Sequence, residues 1–458
     1  MKDFRSIPTA PRALPLVGHV VPLLRDPLAF LNSLPAFGDL VRIRLGPLAM
    51  VVICDPELTR RALLDDRVFD KGGPLYDRLR EVIGDGVVSC RHEAHRRLRR
   101  LSQSAFHQAR LPDYARAMTT CVREAADSWS PGQVLDVPAE MMRVSSKIIT
   151  ATLFSDALPA TAHGQLVEDV TTVVKSLYQR MFLIPPLDRL PTPGNRAHLA
   201  ARARLHDTVE RIVAERRADG ADYGDLLSAL VAAHDPEDDR PGMTGAEIND
   251  TIVSFVLAGI ESTAATLSSA LDLVARHPEV EARLHAEVDA LGGGPATYAD
   301  LPRLRLTERV INETLRLRPP GWFFTRVVTA DTDLGGYALP AGTSVAYSPY
   351  LIHHRPDLHH DPETFAPDRW SDEHPRPPRH AFLPFAAGAR KCIGDSFSMV
   401  EATLALATIA GRWRLEHVPG HRGRLAAAVT LELRDLHMRV RPRAEVSASV
   451  VSSAQGAT

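Results

Sequence analysis

The stretch Phe385-Ala-Ala-Gly388-Ala-Arg390-Lys-Cys392-Ile-Gly394 is the most informative part of this 458-residue chain. A single cysteine stands here between two glycines and two residues after an arginine. Glycine lets the backbone pass close to a flat ligand, because it has no Cβ atom. A helical pattern begins a few residues after the cysteine, and the positive end of a helix dipole lowers the pKa of a nearby thiol. The stretch therefore predicts a reactive thiolate beside a flat group, and not a small buried core cysteine.

A haem-thiolate site needs residues of these types. A thiolate ligand pushes electron density onto haem iron and favours O–O cleavage, and Cys392 is the candidate ligand. We expect Arg390 to grip a haem propionate with a fork of two hydrogen bonds. Gly388 and Gly394 would let the backbone approach the macrocycle, and Phe385 would shield the sulfur from water. At these five positions the chain resembles the haem-binding signature of the cytochrome P450 family.

The composition is ordinary for a folded globular protein, with 45% apolar residues, 24% charged residues and a formal net charge of −2. A nearly neutral chain offers no global electrostatic attraction to nucleic acid or to a membrane surface. The four cysteines form no Cys-x-x-Cys pair, which argues against a disulfide framework and a zinc site and favours a reducing compartment. The apolar run 13–24 is interrupted by proline and glycine and is too short to span a bilayer. We therefore expect a cytoplasmic protein without a membrane anchor.

Helical patterns dominate the chain, and one of them, over residues 300–317, ends at a double proline. Short runs that alternate in polarity, bounded by glycine and proline, predict strands. These predicted strands are 40–46, 50–54, 325–328, 337–339 and 344–347. We therefore predict a mostly α protein with small β-sheets. It forms a single domain over residues 1–443, and a disordered tail follows at 444–458.

The longest predicted helix runs from about Thr244 to Ala275 and begins with the capping box Thr244-Gly-Ala-Glu247. About thirty residues at ~1.5 Å each give a rod of ~45 Å. The middle of this helix, residues 258–263 (Ala-Gly-Ile-Glu-Ser-Thr), interrupts an apolar run with a glycine, a carboxylate and two hydroxyls. These residues form either a solvent-facing stripe or a functional site, because a carboxylate on a core helix is costly unless it is paired.

The same segment is similar to the central helix of the cytochrome P450 family, which carries Ala/Gly-Gly-x-Asp/Glu-Thr. Ala258, Gly259 and Glu261 match this pattern. The resemblance implies that the small pair makes room for dioxygen and that an acid and an alcohol deliver protons to it. The alcohol position holds Ser262 instead of threonine, with Thr263 next, and serine lacks the methyl group that restrains χ1. Glu261, Ser262 and Thr263 are therefore the candidate catalytic residues.

Two further motifs also resemble the family. Glu313 and Arg316 are three residues apart on one predicted helix, where they are neighbours. Downstream, the segment 365–370 (Phe-Ala-Pro-Asp-Arg-Trp) resembles the family's Phe-x-Pro-Glu-Arg-Phe segment. The resemblance assigns Glu313, Arg316 and Arg369 a structural role in folding and haem loading. The alternative is an exposed ion pair of the common kind.

A basic helix near residue 95 contains His95 and Arg99, which are four residues apart and share a face. The resemblance implies that these two residues bind a haem propionate and that Arg326 supplies a third propionate-binding position. The alternative is a solvated cationic face. A cationic patch for an acidic electron donor is also expected on the cysteine side of the haem, formed by Arg96, Arg97, Arg100 and Lys391.

Apolar side chains flank the expected distal face of the haem. They predict a pocket with few polar anchors, which suits a hydrocarbon better than a charged substrate. Segment 178–186 is predicted to form a lid over it. The adjacent His353 and His354 are predicted to point to opposite faces of a strand and so to be structural. The candidate pocket residues are Phe255, Trp322, Phe323 and Phe324.

Within the family the chain resembles actinobacterial sesquiterpene oxidases of the pentalenene oxygenase type. The resemblance implies the cytochrome P450 fold, with haem b between the long helix and the cysteine loop and with Cys392 as the iron ligand. It also implies O2 and an apolar terpenoid as substrates, methyl oxidation in more than one step, and electrons from ferredoxin and ferredoxin reductase. No nucleic acid partner is expected. The alternatives are a fatty-acid hydroxylase or peroxygenase of the same fold, and a non-catalytic haem carrier or sensor.

Overall fold

The structure, a computed structural model, describes residues 2–155, 160–181, 190–235, 242–375 and 377–443. The predicted tail and residues 182–186 of the predicted lid lie outside the described residues. The described chain contains fifteen α-helices: α1 Val20–Arg25, α2 Pro27–Ser33, α3 Pro56–Leu64, α4 Pro74–Ile83, α5 His92–Gln103, α6 Leu111–Ser128, α7 Val137–Phe154, α8 Ala160–Met181, α9 Pro193–Asp219, α10 Leu226–Val231, α11 Gly245–Arg276, α12 Pro278–Asp289, α13 Arg305–Leu317, α14 Pro349–His353 and α15 Asp395–Arg412.

The strands form three small sheets, and the prediction of a mostly α fold with small β-sheets is confirmed. Their order is β1-β2-β8-β5-β3 in the first sheet, β4-β10-β9 in the second and β6-β7 in the third. β2 and β8 are parallel although about 290 residues separate them, so the first sheet ties the start of the chain to its later part. The strands are β1 Leu40–Leu45, β2 Leu48–Ile53, β3 Phe69–Asp70, β4 Val134–Asp136, β5 Phe324–Val328, β6 Thr332–Leu334, β7 Tyr337–Leu339, β8 Ser344–Tyr347, β9 Trp413–Ala427 and β10 Leu431–Pro442.

Helix α11 crosses the core, and its predicted bounds are right to within one residue. The Thr244 hydroxyl accepts a hydrogen bond from the Glu247 backbone N–H, and the Glu247 carboxylate accepts one from the Thr244 N–H, which completes the predicted capping box. Gly259 permits close contact with α7, because a Cβ atom there would lie 2.7 Å from Cδ1 of Ile149. Within the described residues α11 is the one helix with the length and apolarity of a membrane span, yet 83% of its most apolar window is buried inside the protein.

Two local predictions are wrong in ways that have a physical reason. The helix expected over 300–317 is split into a 3₁₀ helix, Tyr298–Arg303, and α13, because Pro302 cannot donate a backbone hydrogen bond. The segment with His353 and His354 is the end of α14 and not a strand. Both rings are buried and bonded to backbone: the Leu383 N–H donates to Nε2 of His353, and Nδ1 of His354 lies 2.8 Å from a carbonyl oxygen of α14.

Candidate active site

A cavity of about 420 Å³ lies between the middle of α11 and the loop that contains Cys392. Most of its wall is apolar and comes from α4, α7, α11 and the chain before β5. All four cysteines are described and unpaired, and of these only Cys392 lines the cavity. The structure therefore brings the two segments that the sequence singled out to the wall of one cavity.

The Cys392 loop is closed on itself by a hydrogen bond from the Cys392 backbone N–H to the Phe385 carbonyl, at 2.9 Å. The accessible surface of Cys392 faces the cavity, and protein atoms surround its sulfur. Burial raises the pKa of the thiol, although the Gly394 N–H and the charge of Arg99 act in the opposite direction. The expected low pKa is therefore not produced by the surrounding protein groups alone. A coordinated metal ion deprotonates a thiol outright.

The two glycines of the loop have different roles. Gly394 lines the cavity, and a Cβ atom there would make only an ordinary contact with Phe106. Gly388 does not line the cavity, so the expected approach to a macrocycle is wrong for this residue. Its φ is +71°, and a Cβ atom would lie 2.2 Å from the carbonyl oxygen of Leu63. Gly388 thus allows the loop to pack against the end of α3.

Arg390 is buried and lines the cavity, but its contacts differ from the expected propionate fork. Nη2 donates to Asp70 at 2.7 Å, Nε donates to Asp66 at 3.2 Å, and Nη1 donates to the Cys90 carbonyl at 2.8 Å. These acceptors belong to segments 300 or more residues earlier in the chain. Arg390 therefore fastens the cysteine loop to the N-terminal part of the protein.

A group of basic side chains lines the cavity, and it includes the predicted His95, Arg99 and Arg326. Arg326 donates to the Tyr76 hydroxyl at 3.2 Å and Arg99 donates to a backbone carbonyl at 2.5 Å. Lys71, which the sequence analysis did not single out, joins them and donates to the carbonyl oxygen of Val88 at 2.7 Å. None of these four residues forms an ion pair with a carboxylate of the described chain.

The pKa values in this group reflect burial and the neighbouring positive charges. Burial lowers the pKa of Lys71 well below its usual value, and the charges of Arg326 and Arg390 add to the effect. Burial also lowers the pKa of His95 to about 3, helped by Arg390 and Lys71. Buried charges are normally paired. The two carboxylates of a haem fit this site, because they would bring negative charge to these cations in a mostly apolar cavity that is also lined by Cys392.

The polar residues of α11 face the same cavity. Ala258 is exposed to it, Gly259 and Ser262 are half-buried, and the Ser262 hydroxyl donates to the Ala258 carbonyl at 2.7 Å. Thr263 lines the cavity too, but it is buried and its hydroxyl lies 3.5 Å from that of Ser398. Ser262 is thus the more accessible of the two alcohols. These residues do not form a solvent-facing stripe.

Glu261 is buried, and its Oε1 accepts a hydrogen bond of 2.9 Å from the hydroxyl of Thr430. Burial raises the pKa of Glu261 to about 7, and the Thr430 hydrogen bond opposes this. At neutral pH the carboxyl group is therefore close to its midpoint. A group in that state can both accept and donate a proton.

A second buried acid, Glu401 of α15, was not anticipated from the sequence. Burial raises the pKa of its side chain to about 8, so it is mostly protonated at neutral pH. The hydroxyls of Ser145 and Thr263 lie close enough to lower this pKa, but neither makes a well-directed hydrogen bond to it. The only sequence signal was a charged residue in the apolar run that follows the cysteine loop.

Two of the four predicted pocket residues line the cavity, and two do not. Phe255 and Phe324 line it. Trp322 and Phe323 instead belong to a second hydrophobic core, where their rings pack 5.7 Å apart. The Trp322 indole N–H donates to the carbonyl of Ala428 at 3.0 Å. This hydrogen bond holds Trp322 against the hairpin of β9 and β10 and turns it away from the cavity.

The structure places Glu313, Arg316 and Arg369 together, away from the cavity. The Glu313 and Arg316 side chains are fully buried and share two hydrogen bonds of 2.8 and 2.9 Å. Nε of Arg369 lies 3.5 Å from Glu313, and the Trp370 indole donates to Glu313 at 2.9 Å. Arg316 also donates to the His353 carbonyl at 3.0 Å. The network joins α13, α14 and the chain before the cysteine loop.

The expected cationic patch on the cysteine side is mostly neutralised. Arg97 pairs with Glu247 at 2.7 Å, and Arg100 donates to Asp235 at 2.8 Å. Lys391 pairs with Asp395, one helical turn away. Arg97, Arg100 and Lys391 therefore each have a carboxylate partner within the described chain, which reduces the positive charge that this surface offers to an acidic donor.

Comparisons with known proteins agree with this geometry. A family model described as Cytochrome P450 matches residues 8–426. Cyclooctat-9-en-7-ol 5-monooxygenase of Streptomyces melanosporofaciens is 45% identical over 90% of this chain and 90% of its own length. Pentalenene oxygenase of Streptomyces avermitilis is 43% identical over 95% of this chain and 97% of its own. The crystal structure of the cytochrome P450DA heme domain superposes with a TM-score of 0.86 at 27% identity, covering 96% of this chain and 98% of that one.

The buried network makes a stability prediction. Replacing Glu313 with alanine leaves the buried Arg316 without its partner, which should cost ~3–5 kcal/mol in the free energy of unfolding. Arg283→Ala is the matched control, because Arg283 and Asp368 form an exposed pair whose loss should cost less than about 1 kcal/mol. Urea unfolding of both variants measures the difference. Equal, small effects would contradict the structural role.

The position of Cys392 in the cavity wall predicts that this residue is the iron ligand. Reduced protein under carbon monoxide should show the red-shifted Soret band of a thiolate ligand, and Cys392→Ser should abolish it, because serine supplies no thiolate. Cys121→Ala is the control, since Cys121 is buried in α6 and does not line the cavity. Optical spectroscopy of the haem-loaded proteins measures the band. Its persistence in Cys392→Ser would assign the ligand elsewhere.

Proposed function

This chain belongs to the cytochrome P450 family and is a haem-thiolate monooxygenase, and we propose that it oxidises an unactivated C–H bond of a cyclic terpenoid. The observation that carries the proposal is the apolar cavity between the Cys392 loop and α11, in a chain 43–45% identical to oxygenases named for terpenoids. Oxidation of one methyl group in more than one step, as the sequence implied, stays part of this proposal.

The haem would be held by two sets of residues. Cys392 would supply the thiolate ligand of the iron, and the cations Lys71, Arg99 and Arg326, with neutral His95, would hold the propionates. When bound, the haem supplies dioxygen activation at a thiolate-ligated iron. Together these residues would fix the orientation of the macrocycle, because the thiolate comes from the Cys392 loop and the cations come from other segments of the chain that line the cavity.

The proton supply is assigned to α11. Glu261 is the group that exchanges protons near neutral pH, because burial brings its pKa to about 7. The Ser262 hydroxyl donates its proton to the Ala258 carbonyl and lines the cavity. Its oxygen can therefore still accept a hydrogen bond from a proton donor in the cavity. Ser262 therefore orients the last proton donor, and Thr263 lies deeper in the protein, beside Ser398.

The substrate would be held by shape. The cavity wall near α11 is formed by aromatic and aliphatic side chains, among them Phe255, Phe324 and Ile149. The cations of the cavity would pair with the haem propionates and would not be left to bind a carboxylate of the substrate. A fatty-acid substrate needs another fixed cation, and the side chain of Arg180, the candidate from the sequence, lies outside the described residues.

The electron donor and the location complete the proposal. Ferredoxin with its reductase would supply electrons at the face of the Cys392 loop. Internal pairing of Arg97, Arg100 and Lys391 makes the attraction to an acidic donor weaker than the sequence predicts. Four unpaired cysteines support a reducing, cytoplasmic location.

Mutation can distinguish the roles of the Ser262 and Thr263 hydroxyls. Ser262→Ala should retain NADPH consumption and divert a larger fraction of electrons, by several-fold, to hydrogen peroxide, because the hydroxyl that orients the last proton donor is lost. Thr263→Val keeps the shape of the residue and should change this fraction less. Peroxide and product are measured per NADPH consumed. A larger effect for Thr263→Val would place the proton donor one residue later on α11.

The aromatic wall can be tested against a matched control. Phe324→Ala should weaken the binding of cyclic terpenes by about tenfold, roughly 1.4 kcal/mol, because apolar area is lost from the cavity. Phe323→Ala should have little effect, since Phe323 packs in the second core. Substrate-induced spectral shifts give both dissociation constants. If fatty acids bind more tightly than terpenes and Arg180→Ala removes that preference, the fatty-acid hydroxylase is the better assignment.

A further inference from the structure

The turn between β9 and β10 reaches the acid of α11. This turn consists of Ala428, Val429 and Thr430, and the last two line the cavity. Thr430 is buried, and its hydroxyl donates to Glu261 at 2.9 Å. Among the described residues no other side chain hydrogen-bonds to the Glu261 carboxyl group. A residue about 170 positions away in the chain therefore holds this side chain.

The turn is itself fixed to the wall of the substrate space. The Trp322 indole donates to the Ala428 carbonyl at 3.0 Å, and the Leu431 backbone N–H donates to the Pro320 carbonyl at 2.9 Å. Pro320 and Gly321 line the cavity beside Val429. A molecule in the cavity that contacts this wall therefore contacts the same turn that carries Thr430.

We propose that Thr430 is a positioning residue that holds the Glu261 carboxyl group through its hydroxyl and so links the substrate-contacting turn to the proton supply. This inference rests on the proposed function of Glu261 as the proton-exchanging acid. Thr430 has no chemistry of its own in the reaction. Its hydroxyl directs one oxygen of Glu261 toward the hairpin and stabilises the charged form of the acid.

Burial and the charged groups near Glu261 also influence the pKa of its carboxyl group. Burial is the largest influence and raises the pKa, while the hydroxyl of Thr430 is the largest influence that lowers it. From β10, Glu432 raises the pKa and Arg434 lowers it. These two residues pair with each other at 2.6 Å, so their effects on Glu261 partly cancel. The hydroxyl of Thr430 is therefore the contact whose removal changes Glu261 most selectively.

The test uses two variants of the haem-loaded protein. Thr430→Val has nearly the same shape and no hydroxyl, so the charged form of Glu261 loses a hydrogen bond and its titration midpoint should rise by about one pH unit. Thr430→Ser keeps a hydroxyl and should titrate like the wild type. Infrared pH-difference spectra measure the C=O stretch of the protonated carboxyl group, which is assigned by its loss in Glu261→Gln.

The outcomes separate this inference from the proposed function, because the titration needs neither substrate nor turnover. An unchanged midpoint in Thr430→Val, or equal shifts in the valine and serine variants, would overturn the positioning role. Circular dichroism and the carbon monoxide spectrum show whether each variant is folded and loaded. In turnover, the pH above which peroxide release increases should move upward in Thr430→Val, because Glu261 stays protonated to higher pH.

Discussion

The fully buried pair of Glu313 and Arg316 is the interaction on which the rest of the structure depends. Two desolvated charges are tolerated only when their remaining hydrogen-bonding groups are satisfied. Here the Trp370 indole and backbone carbonyls near His353 and Thr364 satisfy them. The pair therefore fixes where α13, α14 and the chain after them meet. That chain leads directly into the Cys392 loop, so the position of the sulfur follows from a network that does not touch the cavity.

The cavity combines two environments that are normally incompatible. Its lining includes cations without carboxylate partners among the described residues, and it also includes apolar side chains around the polar middle of α11. Burial and the neighbouring charges of Arg326 and Arg390 disfavour the charged form of Lys71. A ligand with two carboxylates and a large apolar plane would match both environments, because it would bring negative charge to the cations and apolar surface to the wall.

The middle of α11 shows how a single helix serves both core and chemistry. Gly259 lets α11 approach α7, while Ala258 and Ser262 face the cavity and Glu261 turns to the hairpin of β9 and β10. The oxygenases at 43–45% identity and the haem domain at 27% identity cover nearly the whole chain. The fold is therefore shared across the family, and selectivity for one substrate depends on the few side chains that line the cavity.

The sequence by itself determined the features whose residues are close together in the chain: the cysteine loop, the capped helix α11 and the i,i+3 pair of Glu313 and Arg316. Local spacing fixes these, because backbone geometry places such residues side by side. Only the tertiary structure decided which distant groups they meet. It paired Arg390 with acids more than 300 residues away, neutralised Arg97 through Glu247, turned Trp322 and Phe323 out of the cavity, and brought Lys71 and Thr430 into it. The physical reason is that burial and ion pairing depend on every element packed around a side chain, and no local pattern encodes those neighbours.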